Sequence, residues 1–291
     1  MQKCGGHYSV SLLLLKGYKE RIDLALEEEF TAANHLERAM HYALLSGGKR
    51  VRPIITLMVA EGLGMGLNVI PSALAVEFSH TASIIADDLP CMDDEKKRRG
   101  RSCVHIEYGQ ATAILASYGL ITAAYGKLAE NGRILADQIG EAAFEVLESA
   151  VALSSKASGC KGATLGQELD LFEKPDSLEA LENLIYLKTI TFFEMAMVFG
   201  WMFGGGGLSK LNEVREAAYH LGMAFQVRDD LLDYSEDETR GCLSNFAVML
   251  GKEEALIRFY KETETFREKI TELKLSSHSF EALLEALEKG L

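Results

Sequence analysis

The sequence is poor in proline and has no paired cysteines. Its four prolines lie at positions 53, 71, 90 and 175 of the 291-residue chain. Because proline interrupts helices, and no clear alternation of apolar and polar residues occurs, long helices are expected. The five cysteines (4, 91, 103, 160 and 242) form no Cys-x-x-Cys pair and no cysteine–histidine metal spacing. They indicate reduced thiols and favour a cytoplasmic location.

Positive charge is also scarce. The 30 Lys and Arg residues are outnumbered by 43 Asp and Glu residues, which gives a net charge of −13. Nucleic acids and anionic lipids select basic surfaces, so neither is an expected partner. The apolar run at residues 10–15 is too short to span a bilayer, and no small-residue cleavage site follows it. We therefore expect neither stable membrane insertion nor a secretory signal.

Three familiar catalytic motifs are missing from the sequence. The chain has no glycine-rich nucleotide loop, no Gly-x-Ser-x-Gly and no His-Glu-x-x-His. Its chemistry must therefore come from charged clusters and apolar segments.

Amphipathic segments follow one another along the chain, without a repeat or an interdomain linker. Residues 108 to about 130 are small and apolar, which fits a buried central helix. Residues 178–203 form an apolar segment that contains Lys188-Thr189, and residues 211–233 are helical up to an acidic cluster. We predict a single all-α domain over residues 1–291, with roughly ten or more helices.

The densest acidic cluster follows an apolar helix. Residues 87–95 contain five carboxylates, and four cations follow directly at residues 96–99. Asp87 and Asp93 would lie about 240° apart on a continuous helix, but Pro90 ends that helix and lets the loop return Asp93 towards Asp87. A divalent metal that holds a phosphate would bridge the acidic and basic groups. A plain charged loop is the alternative.

A second acidic cluster, Asp229-Asp230-x-x-Asp233, also follows an apolar run. On a helix its carboxylates project to nearby faces, where each like-charge pair costs about 0.2–0.5 kcal/mol even in solvent. Oxygen ligands one turn apart suit magnesium. A solvated acidic helix end is the alternative, and the presence of two such clusters weakens it.

Several basic residues could bind phosphate. They are Lys49, Arg50 and Arg52 in a glycine-opened turn, Arg98 and Arg99 after the first acidic cluster, Lys188 in an apolar segment, and His80 on the helical face of Asp87. Glycine turns at helix starts favour anions, and guanidinium groups bind phosphate bidentately. The alternatives are a basic surface loop, a lysine that reaches the solvent and a buried structural histidine.

In combination, these motifs resemble those of the polyprenyl synthase family, the trans-isoprenyl diphosphate synthases of the farnesyl and geranylgeranyl type. The likeness covers roughly residues 40–251 and rests on Gly47-Gly48-Lys49-Arg50-Val51-Arg52-Pro53, Asp87-Asp88-Leu-Pro-Cys-Met-Asp93-Asp94 with Arg98-Arg99-Gly100, Gly166-Gln167-x-x-Asp170, Lys188-Thr189, and Phe225-Gln226-Val-Arg-Asp229-Asp230-x-x-Asp233. It implies an isoprenoid-synthase-type bundle of helices around a central cavity, usually as a homodimer.

The resemblance also implies a site, in which two acidic motifs hold three Mg²⁺ ions and the allylic diphosphate. By that likeness the metal ligands would be Asp87, Asp88, Asp93, Asp229, Asp230 and Asp233. The allylic diphosphate would contact Arg98, Lys188 and Gln226. Isopentenyl diphosphate would contact Gly48, Lys49, Arg52, His80 and Arg99. The catalytic set would comprise Asp87, Asp88, Lys188, Thr189, Gln226 and Asp229.

The implied reaction joins isopentenyl diphosphate to dimethylallyl, geranyl or farnesyl diphosphate, by ionisation, condensation and elimination, and gives farnesyl or geranylgeranyl diphosphate. Ala82 and Ser83 lie about 6–7.5 Å deeper than Asp87 along the helix, where bulk would stop a growing product. Fifteen-carbon producers of the bacterial kind usually have an aromatic residue at the position of Ala82, so alanine favours a twenty-carbon product. Phe192 and Phe193 could shorten the cavity from another wall.

The sequence departs from the family pattern in places. After Asp233 the family has a lysine-bearing loop, but here Gly241 is followed by Cys242, and Arg240 is a candidate replacement for the lysine. A histidine, a Pro-Thr pair and an aspartate of the family are replaced by Ala86, Ser102-Cys103 and Tyr118.

Two alternative functions are compatible with the sequence. One is a terpene cyclase, which the basic turn and the second acidic motif disfavour. The other is a low-activity regulatory subunit of a heteromeric prenyl synthase.

Overall fold

A computed structural model describes residues 5–275, 277–289 and 291, with side chains from residue 13 onward except at position 240. The chain is mainly helical, which confirms the predicted class. The α-helices are α1 (Gly5–Glu27), α2 (His35–Leu44), α3 (Val51–Gly62), α4 (Ile70–Asp87), α5 (Val104–Glu107), α6 (Gln110–Ile139), α7 (Ala142–Ser158), α8 (Ala163–Phe172), α9 (Leu178–Ile185), α10 (Thr191–Phe203), α11 (Leu211–Arg240), α12 (Phe246–Leu250), α13 (Lys252–Glu272) and α14 (His278–Glu288).

Three short elements complete the chain. Strands β1 (Lys97–Arg98) and β2 (Arg101–Ser102) form an antiparallel hairpin between α4 and α5. A π-turn (Tyr186–Ile190) joins α9 to α10, and a 3-10 turn (Leu208–Lys210) precedes α11. The hairpin and the π-turn both border the site described below.

Helix α10 forms the centre of the bundle. All 13 of its residues are buried, and α3, α4, α7 and α11 pack around it. Gly200 lets α3 approach closely, because a Cβ there would lie 2.5 Å from the Thr56 carbonyl oxygen. The Thr56 hydroxyl in turn donates to the Ala196 carbonyl at 3.0 Å. These contacts fix α3, which carries Arg52, against the core.

One stretch of the described residues, Leu178–Phe203, is long and apolar enough to cross a membrane. Inside the fold, 83% of its apolar window is buried. Core packing therefore explains its composition.

Two helices differ from the sequence-based expectations. Helix α6 is buried on one face only, because Ile114 and Leu115 are exposed. Helix α11 does not end at Asp233 but continues to Arg240, where Gly241 caps it in the left-handed conformation. The apolar stretch from α9 to α10 is not a continuous α-helix, because the π-turn interrupts it.

Candidate active site

The first acidic cluster lies where α4 ends. Asp87 is the last residue of α4, and the chain turns back after it. The Asp93 amide donates to the Asp87 carbonyl at 2.9 Å, and the Asp94 amide donates to the Leu89 carbonyl at 3.1 Å. The loop that contains Pro90 therefore brings Asp93 back to Asp87, as the sequence predicts.

Asp88 faces the protein interior. Its Oδ1 accepts hydrogen bonds from Arg98 Nε at 2.9 Å and from Arg98 Nη2 at 2.6 Å. Its carboxylate also contacts the Cys103 thiol, and burial together with this hydrogen bond raises the pKa of Cys103 to about 12. Asp88 therefore holds Arg98, from strand β1, beside the first acidic cluster.

Asp87 has a different environment from Asp88. It is half-buried, and no ion pair to its carboxylate is found among the described side chains. Burial raises the pKa of Asp87 to about 6. The carboxylates of Asp93 and Asp88 add to this rise, and the charge of Lys188 opposes it. A carboxylate whose charged form is destabilised in this way is suited to receive a divalent cation.

In the second acidic cluster, as in the first, one aspartate is buried and its neighbour is more exposed. Asp229 and Asp233 are exposed on α11, whereas Asp230 is buried. Asp230 accepts hydrogen bonds from Gln226 Nε2 at 2.8 Å and from the Phe246 amide at 2.7 Å. Burial nevertheless raises the pKa of Asp230 to about 7, against the effect of these bonds. Burial and the charge of Asp229 also raise the pKa of Asp233.

The π-turn lies between the two clusters. The Lys188 ammonium forms an ion pair with Asp170 of α8, and its charge acts on Asp87. The Thr189 hydroxyl donates to Gln226 Oε1 at 2.8 Å, and Gln226 belongs to the second acidic motif. Two consecutive residues therefore reach towards opposite clusters.

Two further residues belong to the site but are missing from the predicted set. One is Asp170, the partner of Lys188. The other is Asn245, whose Nδ2 donates to the Asp230 carbonyl at 2.8 Å. The Gly-Gln-x-x-Asp motif is a sequence signal that could have identified Asp170. For Asn245 the signal is weaker, because it is the residue that caps α12.

A polar cavity of about 350 Å³ is lined by residues of α3, α4 and α11. Its lining includes Gly48, Lys49, Arg52, His80, Arg99, Thr189, Gln226 and Asp229. The five positions that the resemblance assigns to isopentenyl diphosphate therefore lie around one cavity. The second acidic motif and the π-turn border the same cavity.

Three of the basic residues that line this cavity, Lys49, Arg52 and Arg99, form no ion pair within the described part of the chain. Arg52 stacks over the Phe193 ring at 4.7 Å, and its Nη1 donates to His80 Nε2 at 3.2 Å. Burial lowers the pKa of Arg52 to about 10. Burial beside Arg52 and Arg99 lowers the pKa of His80 well below its usual value, so His80 is neutral. The buried Arg52 Nε has no partner in the described part of the chain, and a phosphate oxygen would satisfy it.

Gly48 makes room for Arg99. Arg99 has a positive φ of 55° in the hairpin turn, and its Nη1 donates to the Gly47 carbonyl. A Cβ on Gly48 would lie 2.5 Å from that Nη1 atom. The hairpin therefore directs Arg98 to the first acidic cluster and Arg99 to the polar cavity.

Arg50 has a structural role. This finding corrects the prediction that all three basic residues of the turn could bind phosphate. Its guanidinium is buried, with hydrogen bonds to Glu77 Oε1 at 2.6 Å and to Asp23 Oδ1 at 2.9 Å. These bonds anchor the turn to α4 and α1. Lys49 and Arg52 remain as the phosphate-binding candidates from the turn.

An apolar cavity of about 340 Å³ runs along α4 from Asp87 to Ser79. The separation of eight positions corresponds to about 12 Å of helix. Ala82 and Ser83 line the cavity between its ends, as predicted, and α6, α8 and Phe192 of α10 supply its other walls. The cavity therefore starts at an acidic motif and continues into the core.

The polar and apolar cavities lie on the two sides of an aromatic pair. The ring centroids of His80, in the polar cavity, and Phe192, in the apolar cavity, lie 5.7 Å apart. Phe193 lines the polar cavity instead. The expectation that Phe193 narrows the product cavity is therefore wrong, and Phe192 alone of the two has that position.

The acidic residues fit a divalent cation, although they are not preassembled around one. Among the described residues, no three acidic, histidine or cysteine side chains form a ready ligand cluster. Mg²⁺ prefers oxygen donors and usually takes its remaining ligands from water and phosphate. The outward-facing oxygen donors are Asp87, Asp93, Asp229 and Asp233. Asp88 and Asp230 are buried and bonded within the protein, and metal coordination by any of the six aspartates stays a prediction.

The chain is similar to a known protein family and to several curated proteins. The family described as Polyprenyl synthetase matches residues 33–241. Geranylgeranyl pyrophosphate synthase 11, chloroplastic, of Arabidopsis thaliana is 36% identical over 240 residues, which cover 79% of this chain and 64% of that protein. Geranylgeranyl pyrophosphate synthase 6, mitochondrial, is 35% identical over 257 residues (82% and 75%). The large subunit 2 of a heterodimeric geranylgeranyl pyrophosphate synthase is 37% identical over 222 residues (74% and 57%).

Solved structures have the same fold. An FPP/GFPP synthase from Zymomonas mobilis superimposes with a TM-score of 0.80 at 25% identity and covers 94% of this chain and 98% of that one. A geranyltransferase from Legionella pneumophila gives 0.81 at 26% identity, with 97% coverage of both chains. The chain spans only 57–64% of the length of the first curated relatives it matches.

Proposed function

The chain belongs to the polyprenyl synthetase family, and we propose that it is a short-chain trans-prenyltransferase that condenses isopentenyl diphosphate with an allylic diphosphate. The observation that carries this proposal is that the two cavities are neighbours, on either side of the His80–Phe192 pair. The polar cavity is lined by Lys49, Arg52 and Arg99, and the apolar cavity is lined by Asp87 of the first acidic cluster. One cavity suits a diphosphate and the other suits a growing prenyl chain.

Isopentenyl diphosphate is assigned to the polar cavity. Lys49, Arg52 and Arg99 would bind its phosphates, because guanidinium groups and ammonium groups are the usual phosphate partners. Neutral His80 accepts the hydrogen bond from Arg52 and thereby orients its guanidinium. Gly48 contributes by leaving the space that Arg99 occupies.

The allylic diphosphate is assigned to the space between the two acidic clusters. Arg98, Lys188 and Gln226 border this space, and the first two are paired with Asp88 and Asp170. Members of the family generally depend on Mg²⁺, and its ligands here would be the outward-facing carboxylates of both clusters. Bound Mg²⁺ would neutralise the diphosphate and assist its departure. That three ions bind stays a prediction.

The reaction breaks a C–O bond and a C–H bond, forms a C–C bond and restores a C=C bond. The allylic C–O bond breaks, and its electron pair leaves with the diphosphate, whose charge Arg98 and Lys188 stabilise. The isopentenyl double bond then attacks the allylic cation and forms the new C–C bond. The resulting cation loses a proton to the released diphosphate. Thr189 holds Gln226 in place, and the apolar cavity keeps water from the cation.

The product is assigned as the twenty-carbon geranylgeranyl diphosphate. Ala82 is fully buried and adds no bulk to the α4 wall of the apolar cavity, while Phe192 limits the cavity from α10. The curated relatives are named geranylgeranyl pyrophosphate synthases, which supports this length. The fifteen-carbon farnesyl diphosphate is the alternative product.

A regulatory subunit is the second candidate function. It is favoured by the loop after α11, where Cys242 stands in place of the family's usual lysine. The side chain of Arg240, the candidate replacement, lies outside the described part of the chain. One relative is named as a subunit of a heterodimer, so the proposed homodimer also needs a test. Other relatives are named chloroplastic or mitochondrial, and a cytoplasmic location stays a prediction.

Activity of the isolated chain separates these functions. Purified protein should be incubated with Mg²⁺, isopentenyl diphosphate and, in turn, dimethylallyl, geranyl or farnesyl diphosphate, with products identified by mass spectrometry. We expect a twenty-carbon diphosphate, loss of product with a chelator and its return with excess Mg²⁺. Failure to lengthen any of the three substrates would refute the proposal, and activity that needs a second homologous chain would support the regulatory role.

A further inference from the structure

The π-turn at Tyr186–Ile190 carries two of the proposed site residues. It is closed by a hydrogen bond from the Thr191 amide to the Tyr186 carbonyl, five residues apart. A π-turn inserts one extra residue into a helix, so the backbone bulges at that point. Lys188 and Thr189 lie within the bulge. Their positions therefore depend on where the bulge can be accommodated.

The bulge lies against α8 at Gly166. A Cβ on Gly166 would lie 2.6 Å from Lys188 N, 2.8 Å from Lys188 Cα and 2.9 Å from the Leu187 carbonyl carbon. All three are backbone atoms, which have no side-chain rotation available to relieve the clash. Helix α8 therefore approaches the π-turn this closely only because position 166 lacks a side chain.

The same face of α8 carries the partner of Lys188. Asp170 lies four residues after Gly166 and so projects from the same face, one turn further along. Its carboxylate pairs with the Lys188 ammonium. On the other side of the bulge, Thr189 donates to Gln226 at 2.8 Å. The contact at Gly166 therefore fixes the backbone from which two side chains extend. Lys188 is directed to the first acidic cluster and Thr189 to the second.

We propose that Gly166 is a positioning residue, whose missing side chain lets the π-turn lie against α8 so that Lys188 reaches the allylic diphosphate. The inference rests on the proposed function. It explains the position of Lys188, one of the residues proposed to bind the allylic diphosphate. Gly166 acts through the backbone of Lys188 and needs no contact with substrate. A methyl group at position 166 would displace the π-turn, and a displacement of about 1 Å can cost about 10²-fold in rate.

The test compares Gly166→Ala with Gly126→Ala. Gly126 lies in α6, where a Cβ would meet nothing within 4 Å, so it controls for the loss of a helical glycine. For Gly166→Ala we expect the Kd of a non-ionisable thiolo analogue of geranyl diphosphate, measured with Mg²⁺, to rise about 10- to 100-fold. The KM for isopentenyl diphosphate should rise less than the Kd of the analogue, because Lys49, Arg52 and Arg99 belong to other elements. Gly126→Ala should change neither value.

A double-mutant cycle with Lys188→Ala separates positioning from general loosening. If Gly166 acts through Lys188, the double variant should bind the analogue as weakly as Lys188→Ala alone, because coupled residues are not additive. Additive losses, or equal losses for both substrates in Gly166→Ala, would overturn the proposal. A wild-type chain that forms no product would instead overturn the proposed function, so the two failures are distinguishable.

Folding of Gly166→Ala is checked by circular dichroism and thermal melting. If it does not fold, Asp170→Asn tests the placement of Lys188 from the same face of α8. This change removes the carboxylate charge with little change in size. We expect weaker binding of the analogue and an unchanged KM for isopentenyl diphosphate. Unchanged binding of the analogue would show that α8 does not position Lys188, and the proposal would be abandoned.

Discussion

Asp87 lines the apolar cavity, while Asp88, the next residue, is bonded to Arg98 inside the protein. Asp229 and Asp230 divide in the same way on α11. Adjacent helical residues point about 100° apart, so when one member of a pair faces the cavity the other faces the protein. The outward members are therefore the stronger candidates for cation binding, and the inward members for holding neighbouring groups.

The sequence predicts both acidic clusters and the return of Asp93 but does not show which aspartate of each pair faces outward. That orientation depends on how α4 and α11 are rotated in the bundle. The rotation is fixed by partners elsewhere in the chain, such as Arg98 on the hairpin and Phe246 at the start of α12. Local spacing carries no information about such contacts. Arg50 illustrates the same limit, because its role depends on Glu77 and Asp23.

Ala82 offers a direct single-residue test of product length. It is fully buried and lines the apolar cavity, about 7.5 Å from Asp87 along α4. The ring in Ala82→Phe would fill the cavity at that depth. We expect the product to shorten from twenty to fifteen carbons, with the first condensation onto dimethylallyl diphosphate retained. Mass spectrometry of the products measures the change.

Ser79→Phe is the matched control for Ala82→Phe. Ser79 lines the same wall, about 4.5 Å deeper along the helix. A ring there should stop the chain later than a ring at position 82. Twenty-carbon product from a folded Ala82→Phe variant would contradict the assignment of this cavity to the growing chain.

Among the elements, the short helix α12 holds the second acidic motif in place. The Asn245 side chain accepts from the Val248 amide at 3.0 Å, which caps α12. Its Nδ2 donates to the Asp230 carbonyl and to Asp237 Oδ2, both at 2.8 Å. The Phe246 amide donates to Asp230 Oδ2 at 2.7 Å. One cap therefore joins α12 to the acidic turn of α11.

We expect Asn245→Ala to lower the free energy of unfolding by about 2–3 kcal/mol. Loss of a cap costs about 1 kcal/mol, and the buried Asp230 carbonyl would also lose its partner. Asn34→Ala is the control, because Asn34 caps α2 at an exposed position and accepts from the Glu37 amide at 2.9 Å. It should cost about 1 kcal/mol. Equal losses in urea unfolding would contradict a special role for Asn245.

The sequence predicts well which segments are helical and where several of the helices begin. Asn34 and Pro71 mark helix starts because their side chains act within a few residues. The π-turn has no such signal, since apolar residues surround it on both sides and it follows from the space at Gly166 of α8. Tertiary contacts of this kind cannot be inferred from local composition.

In the whole molecule, one apolar core joins α1 to α14, which supports the proposed single domain. Helices α6 and α7 nevertheless leave large apolar side chains at the surface. They are Ile114, Leu115, Tyr118, Phe144 and Val151, which are 39–68% exposed. Apolar surface on this scale is typical of association sites. The composition of α6 predicts a buried helix. A second chain that covered this face would bury it.

The same surface borders the apolar cavity. Tyr118 and Phe172 line the cavity, yet they are 62% and 80% exposed. A two-fold dimer uses the same patch on both chains, so each copy would cover this side of the other. Association would thereby separate the proposed product cavity from water.

We therefore expect the wild-type chain to have twice its monomer mass of 32.0 kDa in light scattering after size-exclusion chromatography. Leu115→Asp should be monomeric, because the dimer would bury an unpaired carboxylate within the apolar patch. Ile257→Asp is the control, since Ile257 on α13 is 56% exposed and Leu115 is 53% exposed. It should remain dimeric. The monomeric variant should also form less long-chain product, because its cavity stays open to water. A wild-type monomer, or a dimeric Leu115→Asp variant, would exclude this face as the interface.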